Sequence, residues 1–252
     1  GVSIVVITVA ALTGTLKIGE AISGFANSAI WLIVGAFLFS RGFIKTGLGK
    51  RIAYNLIAAF GSSSLRLAYA LALSDLILAP ATPSNTARVG GVIMPITTSL
   101  AKAFGSEPQD GPRKIGSFLM QSIYQVNTIT SAMFQTSMAG NTLVAALALQ
   151  SFGIGITWGD WAMAAIVPGV IALIIMPYFI YKVYPPEIKD AREAQQMIKE
   201  ELKGLGKMSF QEWVMLGVFI LALVLWATSQ FTKIDATTVA FLGISILLAT
   251  SV

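Results

Sequence analysis

DLILAPATPSNTARVGGVIMPI, residues 75–96, is the stretch on which the architecture turns. It joins two apolar arms, LRLAYALALSDLILAP and RVGGVIMPITTSLAKAF, through the segment ATPSNTA; Pro80 just before that segment, Pro83 within it and its small polar residues cannot continue a helix unbroken. Basic residues cluster at Arg41, Lys45, Lys50 and Arg51 before the arms and at Lys102, Arg113 and Lys114 after them. The positive-inside rule puts both loops on the cytoplasmic side. A path that leaves and returns on one side predicts a re-entrant helical hairpin over residues 67–104, with its tip inside the membrane. Unwound backbone at that depth is tolerated only where it is buried in protein or lines a water-filled cavity.

Outward from the hairpin, residues 1–16, 21–40, 115–159, 161–181, 213–232 and 236–252 contain no Asp, Glu, Lys or Arg. A helix needs about 20 apolar residues to cross hydrocarbon, so several of these are single crossings, and 115–159 is long enough to be interrupted. Only 12% of the 252 residues are charged and 55% are hydrophobic, against about 25% charged in soluble domains. The chain therefore reads as an all-α, multi-pass membrane protein with the lipid bilayer as its surroundings. The formal +5 charge lies in short loops, a topology signal rather than a nucleic-acid footprint. With no Cys and no His, zinc sites, disulfides, thiol nucleophiles and His-based triads are excluded, and any metal would have oxygen ligands alone. The chain opens on Gly and both ends lie within apolar segments, so it reads as a piece of a longer polypeptide, and no signal peptide is legible.

Within residues 115–151 the apolar pattern gives way to VNTITSAMFQTSMAGNT, residues 126–142. A helix broken there would face the hairpin tip, a recurring transporter construction; the competing reading is a wound helix whose Ser and Thr bond back to their own carbonyls. Residues 161–181 form the return crossing. Residues 184–208 mix acids and bases among helix formers, which predicts a solvated or interfacial linker helix, and 50–59 suggests a second interfacial one. The loops 41–51, 102–114 and 182–207 are expected to be cytoplasmic, in a bacterial inner membrane.

The tip offers Thr82, Ser84, Asn85 and Thr86. Such residues cap the helix that resumes, and a helix start with open N–H groups also suits a carboxylate. Arg88 and Asp75 are the only charges between residues 67 and 101. An intramembrane charge costs from about 2.5 kcal/mol upward, so Arg88 either pairs with Asp75, about one turn away along the other arm, or supplies positive charge to an anion. In the polar interruption Thr128, Thr130, Ser131, Thr136, Ser137 and Asn141 are candidates to face the tip, with Thr130 and Ser131 chosen first. Gly90, Gly91 and Gly140 suit close helix packing. Ser84 has no base near it in sequence, so enzymatic function is not expected.

APATPSNTARVGG, together with WLIVGAFLFSRGFIKTGLGKRIA, the PPEI linker and EWVMLGVFILALVLW, resembles the divalent anion/sodium symporter family. It is most similar to the exchanger branch of 2-oxoglutarate/malate translocators and citrate/succinate or tartrate/succinate antiporters. The resemblance covers essentially the whole chain. It implies an inverted-repeat transporter of the elevator type working as a homodimer, with one SNT tip here and a second beyond Val252. Residues 1–61 and 209–252 would be scaffold helices, the latter starting the second repeat. Residues 62–183 would be the transport domain and 184–208 a cytoplasmic linker. The expected activity is exchange of di- or tricarboxylates such as 2-oxoglutarate, malate, succinate, citrate or tartrate, without a cofactor. Ser84, Asn85 and Thr86 would bind substrate, joined by Thr130 and Ser131, and Arg88 would supply the charge that sodium supplies elsewhere. If the carrier is instead a sodium-coupled symporter, Ser84 and Asn85 would hold the ion.

Overall fold

The computed structural model describes residues 2–252, in which no β-strand is present. The chain runs through α1 (Val2–Leu12) and α2 (Ile18–Ala21) into α3 (Ser28–Thr46), then α4 (Leu48–Phe60) and α5 (Ser64–Leu78). After the tip, α6 (Asn85–Arg88), a π-helical turn (Val89–Ile93) and α7 (Met94–Ala103) form one continuous helical run. There follow α8 (Gly116–Met133), a 3₁₀ turn (Gln135–Ser137), α9 (Ala139–Phe152), α10 (Trp158–Val183), α11 (Arg192–Gly204), α12 (Phe210–Ala227), α13 (Ser229–Thr232) and α14 (Ala236–Ala249). Four of the described helical segments, Ser28–Thr46, Ser64–Ala81, Trp158–Val183 and Phe210–Ala227, are long and apolar enough to cross a bilayer.

Local chemistry sets the helix ends. Asn27 starts α3 by accepting the Ala29 N–H, and Gly47 stops it with φ +78°, a conformation that glycine adopts without steric cost. The same glycine opens α4, so the corner between them takes no extra residues. Capping boxes start α10 at Thr157 and Asp160 and α12 at Ser209 and Glu212.

Two bundles result. In one, α3, α12 and α14 pack together, closely enough that a Cβ on Gly243 would lie 2.8 Å from the Phe39 ring. In the other, α8 is bordered by α5, α7 and α10. A column of stacked rings joins the bundles: Phe134 and Trp158 have centroids 5.6 Å apart, Trp158 and Trp226 6.2 Å, both with planes 17° apart.

The segment expected as a solvated or interfacial linker differs in one respect. Its helix, α11, buries Ala194 and Ile198 and packs on α4, so this face belongs to the core. Just before it, Ser64 N–H donates to Lys189 O (3.0 Å) and Ala191 N–H to Ser62 O (3.1 Å), while the Glu187 and Ile188 N–H groups donate to Arg113 O and Lys114 O. Residues 187–191 thus strap the start of α5 to the start of α8. On this strap Arg192 hydrogen-bonds Asp190 and holds its carboxyl down at about 2. After α11, Arg51 of α4 grips the Glu212 carboxylate (2.5 and 3.2 Å) and donates to Gly206 O (2.9 Å), tying α4, the end of the linker and α12.

Candidate functional site

The two interruptions come together. Helix α5 ends at Leu78, and residues 79–84 turn through Pro80 and Pro83 before Ser84 caps the next helical run, its Oγ accepting the Ala87 N–H (3.2 Å). The break opposite is shorter than residues 126–142. Helix α8 stays wound to Met133, and within it the Thr128 and Ser131 hydroxyls bond back to the carbonyls of Tyr124 (3.1 Å) and Asn127 (2.6 Å) instead of leaving the helix. Only residues 134–138 leave the helix.

The seam between tip and break is hydrogen-bonded along its length. Thr136 donates to Pro80 O (2.5 Å) and Ala139 N–H to Pro83 O (2.9 Å). Asn141 closes the break by donating to Ser131 O (2.7 Å) and Phe134 O (2.9 Å), and Ser137 also donates to Ser131 O (2.6 Å). Trp158, inside the ring column, donates to the Thr136 hydroxyl (2.9 Å). Pro80 O, Pro83 O, Ser131 O and Phe134 O therefore each accept a hydrogen bond within the seam.

Arg88 lies at the centre, 1% exposed. Its Nε donates to Asp75 Oδ1 (2.8 Å), one terminal nitrogen to Thr82 O (3.0 Å) and Ser137 O (3.4 Å), and the other to the hydroxyls of Thr130 (3.2 Å) and Ser131 (3.1 Å). All five guanidinium protons therefore have acceptors. Asp75, 2% exposed, also accepts from the Thr130 hydroxyl and from Asn127 Nδ2 (3.3 Å). The ion pair weighed from the sequence is thus formed, and the cluster of one cation and one anion has no net charge.

The five residues expected to bind substrate divide. Thr130 and Ser131 are buried, with their hydroxyls engaged by Arg88, Asp75 and the Asn127 carbonyl. Ser84 and Asn85 are partly exposed and Thr86 is exposed. Asn85 Oδ1 accepts from Thr86 N–H (2.8 Å), and its Nδ2 has no partner among the described residues. Sequence reasoning did not single out Asn127 as a partner of Asp75, nor Trp158 as a contact of the break. Asn127 had a signal: it lies three and four residues before Thr130 and Ser131, on the same helical face.

The family described as the sodium:sulfate symporter transmembrane region matches residues 1–252. The chain belongs to this family. A putative malate transporter of Bacillus subtilis is 53% identical over 252 residues, covering all of this chain and 53% of the relative. A chloroplastic dicarboxylate transporter of Spinacia oleracea is 48% identical over 242 residues, 96% of this chain and 42% of the relative. A citrate/succinate antiporter of Escherichia coli is 39% identical over 229 residues, 90% of this chain and 47% of the relative. The chain spans about half the length of these relatives. Family and relatives are membrane transporters, not enzymes, in keeping with the apolar helices and with the expectation from the sequence.

Proposed function

We propose that this chain supplies one half of a carrier that exchanges di- or tricarboxylates across a bacterial inner membrane, with its basic loops in the cytoplasm. The buried guanidinium of Arg88 at the seam carries this reading. It donates to Thr82 O and Ser137 O, one carbonyl from each interruption, as a bound cation would be expected to do. Asp75 balances its charge, so Arg88 acts by holding the two breaks together rather than by drawing in the anion. A seam assembled without sodium gives a sodium gradient nothing to act on. Asn85 Nδ2 and the Thr86 hydroxyl, with Ser84 shaping the turn, would meet the substrate carboxylate, and Thr130 and Ser131 would support them through Arg88. Empty, the Asn85 Nδ2 donor would cross the membrane unsatisfied, while the Thr86 hydroxyl keeps only a long bond to Asn85 Oδ1 (3.4 Å), which disfavours return of the unloaded carrier. An elevator motion of a homodimer fits the same assignment, with the hairpin, broken helix and α10 as the moving part.

Sodium-coupled uptake is kept as a second reading because the family description names sodium; Ser84 and Asn85 would then hold the ion. The test uses the full-length protein in liposomes, following labelled 2-oxoglutarate or succinate. Exchange predicts uptake that requires internal dicarboxylate and ignores external sodium. Sodium-driven uptake into empty liposomes would overturn it.

A further inference from the structure

The side of α8 left uncovered by α5, α7 and α10 is polar. Gln121, Tyr124 and Thr128 are exposed there, with Ser117 and Gln125 partly so, and their spacing of three and four residues makes one stripe. From Ser117 to Thr128 it rises about 16 Å, half of a hydrocarbon core about 30 Å thick, starting beside the basic loop at Lys114 and ending just before the break. Beyond the break the exposed side chains turn apolar, with Leu143, Val144 and Leu147 on α9, and those of α10 are apolar too at Ile171, Ile174 and Ile175. Lipid suits the latter surfaces but not the stripe, where the Gln121 and Gln125 amides and the Tyr124 hydroxyl have no partner among the described residues. Beside it runs a groove of about 600 Å³ with one polar wall, Ser117, Gln121 and Gln125, and one apolar wall, including Met176, Phe179 and Val183.

We propose that this stripe and groove seat a membrane helix from the part of the polypeptide outside residues 1–252, joined through uncharged amide and hydroxyl side chains. The relatives are about twice as long as this chain, so enough polypeptide exists to supply it. Water alone would satisfy the glutamines but wet the Met176 and Phe179 wall. Lipid would do the reverse. A helix with one polar and one apolar face matches both walls, and the absence of charge on the stripe selects hydrogen-bonding partners over ionic ones. The assignment rests on family membership and is independent of what is transported.

The test places the photoreactive residue p-benzoylphenylalanine at Tyr124, and separately at Thr128, in the full-length protein in its membrane. A cross-link within one polypeptide to a peptide beyond residue 252 is expected, read by mass spectrometry. In parallel, a water-soluble maleimide should label Gln121→Cys at least about 10-fold more slowly than Glu107→Cys in the exposed loop, as protection by packed structure requires. Adducts to lipid, cross-links to a second copy, or labelling of Gln121→Cys as fast as the loop control would each overturn the proposal. Two photoreactive positions keep it falsifiable if one variant fails to fold.

Discussion

Removing Arg88 alone should be far more damaging than removing Arg88 and Asp75 together. Both are almost fully buried, at 1% and 2% exposure. Arg88→Ala leaves the Asp75 carboxylate with Asn127 and Thr130 as its remaining side-chain partners among the described residues and deprives Thr82 O and Ser137 O of their guanidinium donor. Breaking a buried pair from one side costs about 3–5 kcal/mol, because a charge is left uncompensated. Asp75→Asn keeps the shape of the side chain but strands the guanidinium, at a similar cost. The combination of Asp75→Asn with Arg88→Met removes both charges and keeps most of the volume, so it should lie within about 2 kcal/mol of the parent protein. Unfolding of the full-length protein in mixed micelles would then give a coupling energy of about 4 kcal/mol or more. Exchange in liposomes should remain lost in the double variant, since the guanidinium that joins Thr82 O to Ser137 O is gone and only the Thr136–Pro80 and Ala139–Pro83 hydrogen bonds still bridge the two breaks. Single effects that simply add, within about 0.5 kcal/mol, would refute the argument that the pair is the source of the cost.

Asn85→Ala should weaken apparent dicarboxylate affinity by about 10-fold or more, the worth of one hydrogen bond to a charged group, while leaving thermal stability unchanged because the tip is open there; competition by unlabelled succinate measures it. Arg51→Ala frees the end of α11 from α4 and α12, so trypsin should cut at Lys203 and Lys207 faster than in the parent protein, read by gel over time. Gly243→Ala forces the Phe39 ring to move and should destabilise by about 1–3 kcal/mol, measured by the same mixed-micelle unfolding. Trp158→Ala empties the ring column and removes the donor to Thr136, with an expected loss of about 3–5 kcal/mol.

Much of the helical plan was legible because charges are rare and each one marks an end. Lys182 closes α10, Asp160 opens it as part of a capping box, and the proline-rich tip separates α5 from α6 where residues 75–96 implied an interruption. The extent of the break was not legible. Thr, Ser and Asn serve equally well to cap an interruption and to bond back within a wound helix, and in α8 Thr128 and Ser131 take the second role while the helix runs on to Met133. The linker helix was legible from its charges and helix formers, whereas the face that buries Ala194 and Ile198 was not, because it depends on α4, about 140 residues earlier in the chain. The Asp75–Arg88 pair was foreseeable from helical rise. Its saturation by Thr82, Thr130, Ser131 and Ser137 needed the fold.

The column of Phe134, Trp158 and Trp226 has an optical consequence. Indole rings 6.2 Å apart couple their strong far-ultraviolet transition dipoles, so Trp158 and Trp226 should give an exciton couplet in far-ultraviolet circular dichroism. Trp158 begins α10 and Trp226 lies on α12, on opposite sides of the join between the bundles. Any sliding of one bundle past the other must separate the rings and extinguish the couplet. The couplet would therefore gauge any movement between the two bundles, readable on native protein without a label.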